Sequence, residues 1–89
     1  MTETITFHLV APESEVFAGE VESVTAPGSE GDFGVFKGHA PFMTTLREGT
    51  VSVMHGGKRQ DFAIHGGFAD VTPTQVTVLA EAVEREPAA

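Results

Sequence analysis

The sequence predicts an all-β sandwich or barrel of short strands, and three observations carry that expectation. Apolar residues recur with period two rather than 3.6. The runs that hold them are rich in Val, Ile, Phe and Thr, which fit a pleated, half-buried surface. Turn formers interrupt the runs about every eight to twelve residues, the spacing of many short strands. They are Pro27-Gly28, Gly38, Gly49, Gly56-Gly57, Gly66-Gly67 and Pro73.

The elements follow in chain order. Residues 4–11 place Ile5, Phe7, Leu9 and Ala11 on one face, with Thr4, Thr6, His8 and Val10 on the other. Residues 49–55 repeat the alternation through Val51 and Val53, and residues 58–65 through Phe62 and Ile64. Between them, His55-Gly56-Gly57-Lys58 predicts a hairpin, because Gly-Gly supplies the positive φ that a tight primed turn needs. Thr72-Pro73-Thr74 predicts a second reversal, since proline fixes its own φ and restricts the residue before it. Val76 and Val78 then mark a strand over residues 75–80. Residues 81–86 have room for one helical turn, but Pro87 follows at once. The expected division is a β-sandwich over residues 1–83 and a frayed tail over 84–89. The seven Phe (7, 17, 33, 36, 42, 62 and 68) are expected to fill a thin two-layer core. Such cores are packed to near-crystal density and leave little space for a buried ligand.

Composition narrows the function. A chain of 89 residues is one domain with one core. Without cysteine, it has no disulfide scaffold, thiolate zinc site, iron–sulfur site or cysteine nucleophile. Five basic residues face thirteen acidic ones, a formal charge of −8. That sign opposes nucleic-acid binding and docking on anionic lipid, both of which need clustered Lys and Arg. Seven of the acids stand in residues 1–40 against Lys37 alone. A solvated surface and a basic partner both account for such a patch. No apolar run reaches the eighteen or so residues of a membrane span, and the first residues do not read as a signal peptide. A soluble intracellular location is the simplest expectation.

Catalytic and metal signals are weak. His8, His39, His55 and His65 form no i, i+2 or i, i+4 pair on a common element. His55 and His65 flank the predicted hairpin, with only Asp61 as a nearby carboxylate, whereas a structural zinc site normally wants four ligands. Glu13/Glu15 and Glu20/Glu22 share strand faces and read as solvated surface, with no pocket to separate their pKa values. The Gly-rich G-S-E-G-D-F-G at residues 28–34 lacks the Lys-Ser/Thr ending of a phosphate loop, and no G-x-S-x-G elbow occurs. No catalysis and no cofactor are expected.

Residues 27–49, P-G-S-E-G-D-F-G-V-F-K-G-H-A-P-F-M-T-T-L-R-E-G, stand out. They combine turn residues with apolar Phe36, Phe42, Met43 and Leu46, expected on the surface. The stiff G-H-A-P corner is either a strand crossing between two sheets or a binding loop.

This segment resembles the signature of the epsilon subunit of F-type ATP synthases. The resemblance extends to the opening F-H-L-V-A-P-E and V-F-A-G-E-V, to H-G-G-F-A-D-V at residues 65–71, and to V-T-V-L-A-E at residues 76–81. G-H-A-P alone is a weak match; four ordered matches over residues 4–83 are specific together.

The resemblance implies a flattened two-sheet β-sandwich of about ten strands, in a non-catalytic subunit of the rotor's central stalk. It implies two partners, the gamma subunit and the membrane ring of c subunits. Its place would be the cytoplasmic face of the bacterial inner membrane, reached only through the complex. His39, Ala40 and Thr44 match gamma-facing positions, with Ala11 beside them, and Phe42 and Met43 would add apolar burial. Ser29, Glu30, Gly31 and Asp32 match the turn that meets the c ring. Many family members continue into a C-terminal helical hairpin; with the last residue at Ala89, neither inhibition nor nucleotide sensing through such a hairpin is expected. The rival expectation is a free-standing β-barrel binding a small molecule or metal in an internal cavity.

Overall fold

The computed structural model describes residues 4–38 and 40–85, and every regular element in them is a strand. The strands are β1 (Ile5–Ala11), β2 (Ser14–Val21), β3 (Ser23–Gly28), β4 (Gly31–Val35), β5 (Phe42–His55), β6 (Lys58–Val71), β7 (Gln75–Ala80) and β8 (Val83–Arg85). Hydrogen bonding orders them β2-β1-β7-β6-β5-β3-β4, with β8 added to β6. Neighbours are antiparallel except β1 and β7, which run parallel.

Two long strands turn this one ribbon into two layers. β5 and β6 pair from Phe42↔Val71 to His55↔Lys58, and the ladder is interrupted at Arg47 and Gly66. There β6 bends through Gly66 and Gly67, at φ of 85° and 132°, values that glycine adopts without a Cβ penalty. On one side of the gap, residues 42–46 and 67–71 pair with each other, and the latter with β7. On the other side, β6 takes β8 and β5 takes β3. The first layer is therefore β2, β1, β7 and these halves of β6 and β5; the second is β8, the remaining halves, β3 and β4. Counting the two halves of β5 and of β6 separately, eight elements supply ten strand segments, the number the family resemblance implies.

Alternation sends one side chain in two to the space between the layers. Ile5, Phe7, Leu9, Val76 and Val78 from the first layer meet Val51, Val53, Phe62, Ile64 and Val24 from the second in a single core. Phe17 of β2 stands 5.7 Å from Phe7 and 5.8 Å from Phe62, joining the layers at the β2 edge. Burying each such Val, Ile or Phe contributes about 1.5–3 kcal/mol. Among the described residues no polar or charged side chain is buried.

The predicted turns are present. Gly56 and Gly57 take φ of 59° and 75° at the β5–β6 hairpin. At the β6–β7 reversal, the Thr72 N–H donates to the Gln75 carbonyl (2.8 Å), and the Thr72 hydroxyl accepts from the Gln75 N–H (3.0 Å). The corner after β4 carries the chain from the second layer to the first, with the Gly38 N–H on the Pro73 carbonyl at 2.8 Å.

Four readings of the sequence need correction. The seven Phe do not all serve the core: Phe36 is 66% exposed and Phe68 38% exposed, while Phe17, Phe33 and Phe42 are only partly buried. Phe36 lies beyond the end of β4, and Phe68 occupies an outward position of β6. Leu46, expected on the surface, is buried, because its register opposite Gly67 and Gly28 turns it inward. His55 and His65 do not approach each other. His55 sits at the hairpin turn opposite Lys58, and His65 lies far along the ladder opposite Glu48. Regular structure also reaches beyond residue 83, since Val83–Arg85 pairs with Phe62, Ala63 and Ile64.

Candidate functional site

The outer faces of the two layers differ in chemistry. On the second layer, the alternate positions of β3, β5 and β6 present Thr25, Ser52, Arg59 and Asp61. Arg59 Nε donates to Asp61 at 2.8 Å, and with the Ser52 hydroxyl it holds the Asp61 carboxyl below its usual range. Arg59, Asp61 and Ser52 satisfy one another there, and the apolar residues at outward positions, Met54 and Ala63, are half-buried.

The first layer carries an apolar strip. Register places Val10 beside Leu79, Leu79 beside Phe68, and Phe68 beside Thr45, a row running across β1, β7, β6 and β5. At the usual strand spacing this row spans roughly 14 Å. The next row is His8, Thr77, Asp70 and Met43. Met43 is 66% exposed and Leu79 37%. Two open depressions follow the strip. One of about 460 Å³ is lined by Val10, Ala11, Pro12, Phe68 and Leu79 with Gly67, Ala80 and Glu81. The other, about 410 Å³, lies between Met43, Thr44, Thr45 and Phe68. Polar and acidic groups edge the strip: His8 Nδ1 is 3.1 Å from Glu15 Oε2, and Asp70 and Glu81 are exposed. Farther along the same face Glu20 accepts hydroxyls from Thr4 and Thr6 at 2.6 and 2.7 Å, which hold its carboxyl below its usual range.

The residues expected to face gamma distribute around this strip. Ala11 ends β1 at one depression, and Met43 borders the other. Thr44 and Phe42 occupy the alternate, inward positions of β5, opposite Ala69 and Val71. Phe42 packs edge-on against Phe33 with ring centroids 5.2 Å apart, and Thr44 is half-buried but still lines the second depression. Ala40 is exposed just before β5, and His39 lies outside the described residues.

The residues expected to face the c ring form the β3–β4 hairpin. Gly28 pairs with Gly31, leaving Ser29 and Glu30 at the tip. A side chain on Gly28 would start 2.6 Å from the Gly31 carbonyl oxygen, so the tight turn requires glycine there. The tip is tied to β5, because the Ser29 N–H donates to the Thr45 carbonyl (2.9 Å) and the Thr45 hydroxyl donates to Ser29 Oγ (2.8 Å). Asp32 pairs with Arg47, which compensates its charge and leaves Glu30 as the uncompensated acid of the turn. Thr45 thus links the acidic tip to the apolar strip.

Sequence reasoning missed Val10, Phe68 and Leu79. Their signal was a break in the alternation: each is a large apolar residue on the face where polar residues otherwise stand. Among the described residues no group of three or more His, Asp or Glu is placed to hold a metal ion, and no helix is long and apolar enough to cross a membrane.

Comparison with known proteins places this geometry. The family model described as ATP synthase, delta/epsilon chain, beta-sandwich domain matches residues 4–86. The ATP synthase epsilon chain of Caulobacter vibrioides is 65% identical over 75 residues, 84% of this chain and 87% of its own length. That of Hyphomonas neptunium is 54% identical over 82 residues, covering 91% of this chain but only 61% of itself. A chain from the mitochondrial ATP synthase of Euglena gracilis, in an assembly of OSCP, F1 and c-ring, superposes with a TM-score of 0.87 at 27% identity. That match covers 92% of this chain and 53% of the other. One from the central stalk and c-ring of the Tetrahymena thermophila mitochondrial enzyme gives 0.76 at 13% identity over 94% and 68%, a likeness of fold alone. With its bent ten-segment sandwich matched from Thr4 onward, the chain belongs to the delta/epsilon-chain β-sandwich family of ATP synthases.

Proposed function

We propose that this domain is a non-catalytic rotor element of an F-type ATP synthase, coupling the gamma subunit to the membrane c ring during proton-driven ATP synthesis. The observation that carries the reading is the asymmetry of the outer faces: one carries the mutually paired Arg59, Asp61 and Ser52, the other the strip from Val10 to Met43 with the exposed Met43, Phe68 and Leu79. In this reading the strip, with Ala11, Ala40, Phe42 and Thr44 at its margins, docks on gamma, and His39 of the G-H-A-P motif contributes to the same contact. The tip Ser29–Glu30 with Gly31 and Asp32 rests on the polar loops of the c ring, on the cytoplasmic face of the bacterial inner membrane.

Magnitudes divide the work between the two surfaces. Moving a large apolar side chain fully from water into an interface contributes about 1.5–3 kcal/mol, whereas an exposed ion pair contributes about 0–1 kcal/mol. The strip therefore supplies the grip, and Glu30 supplies register and steering. Both described depressions open on the outer face, and among the described residues no polar side chain is fully buried, so nothing described there favours the ligand-barrel reading.

The acidic tip is tested by Glu30→Lys. Binding to isolated gamma should be unchanged, while assembly of the gamma-bound chain onto c rings should weaken about two- to fivefold and lose its salt dependence. Unaltered c-ring assembly would remove the tip from the contact.

A further inference from the structure

We propose that His65 is a proton-dependent clasp that fastens β8 to β5. The inference rests on three strands meeting at one imidazole. His65 Nδ1 lies 2.6 Å from Glu48 Oε2 on β5, and His65 Nε2 lies 3.7 Å from Glu84 Oε2 on β8. Register explains the meeting: Glu48 stands directly opposite His65, and Glu84 stands opposite Ala63, two residues along the same face of β6.

β8 needs such a fastening. It is three residues long and, among the described residues, pairs only with β6. Its approach is well held: the Glu81 N–H donates to the Gly66 carbonyl (3.1 Å), the His65 N–H to the Ala82 carbonyl (3.0 Å), and Val83 packs on the core. Past Val83, the described side-chain tie is Glu84 to His65.

Protonation decides how many strands the ring can hold. A neutral imidazole has one N–H and satisfies one carboxylate; the other then faces a lone pair. The imidazolium has two N–H groups and bridges both. The charged groups facing the ring are Glu48 from β5 and Glu84 from β8, with Glu81 close by at the β7–β8 corner, beside Gly66. All are acidic, and Arg47 on β5 is engaged by Asp32. These surroundings, the Glu48 hydrogen bond first, raise the His65 pKa above its ordinary 6.5. A raised folded-state pKa means the clasp is complete below pH 6.5 and is lost as pH rises through the higher value. The ring is 40% exposed and the two carboxylates 74% and 73%, so solvent screens the effect. A change of about two- to fivefold in β8 opening is the expected size.

The test is nuclear magnetic resonance of the chain between about pH 6 and 8.5, the range in which a raised histidine titrates. It follows the His65 ring resonances and the hydrogen-exchange protection of the β8 amides, normalised for intrinsic exchange. The ring should titrate above 6.5, and β8 protection should fall about two- to fivefold with the same midpoint while core amides of β1 and β7 stay constant. In His65→Gln the protection should be flat with pH. In Glu84→Gln it should also be flat, and the ring midpoint should drop. A ring that titrates at or below 6.5 overturns the proposal, as does the same pH-dependent β8 protection in His65→Gln.

Discussion

Gly67 shows how one residue fixes the shape of the sandwich. Its φ is 132°, and a Cβ there would collide with the Leu79 carbonyl oxygen and lie 2.8 Å from Ala80 Cα. Backbone strain and collision with backbone act together, so Gly67→Ala should lower stability by about 2–4 kcal/mol in urea denaturation. Gly31, at φ of 138° but with open space around it, provides the control. Gly31→Ala carries the strain alone and should cost about 1–2 kcal/mol. Equal losses at the two sites would mean that the close approach of β6 to β7 does not matter. The Gly66-Gly67 pair was legible in the sequence as a turn signal; its actual role as a bend within a continuous strand was not. Nothing local distinguishes a glycine that ends a strand from one that lets it pass between layers.

At the scale of elements, the alternation reads cleanly where one face is buried and the other wet. Ile5, Phe7 and Leu9 in β1, Val51 and Val53 in β5, and Phe62 and Ile64 in β6 all point inward as the period of two predicts. The β5–β6 hairpin was legible for the same reason, with Gly56-Gly57 adding the turn. What stayed hidden was non-local: the parallel pairing of β1 with β7, and β8, whose three residues are too few to show a period. Phe62 tests the shared core, since it is fully buried and meets Phe17 from the opposite layer. Phe62→Ala should cost about 3–5 kcal/mol, a large share of the stability of a domain this small, visible as a thermal midpoint lowered by about 10 °C or more. A loss below about 1 kcal/mol would mean that the layers do not depend on that contact.

For the whole molecule, the proposed function rests on which outer face is left apolar. The family was legible from ordered motifs, and Ala11 and Met43, matched by the same motifs, border the two depressions. The strip was not, because Val10, Phe68 and Leu79 come from three strands and become neighbours only through the sheet order. Residues 42 to 44 illustrate the same limit. Motif matching treats them as one group, whereas the strand turns Met43 out and Phe42 and Thr44 in. Replacing an exposed strip residue should leave the fold intact, since surface substitutions usually change stability by less than about 0.5 kcal/mol.

The most direct measurement is the affinity of the folded chain for its cognate gamma subunit by titration calorimetry, for the native sequence and for Met43→Glu and Phe68→Glu. Native binding should be micromolar or tighter with a negative heat-capacity change, and a carboxylate placed in the strip should weaken it at least tenfold, about 1.4 kcal/mol, with the thermal transition retained. Absence of binding by the folded native chain, or unchanged affinity in both variants, would contradict the account.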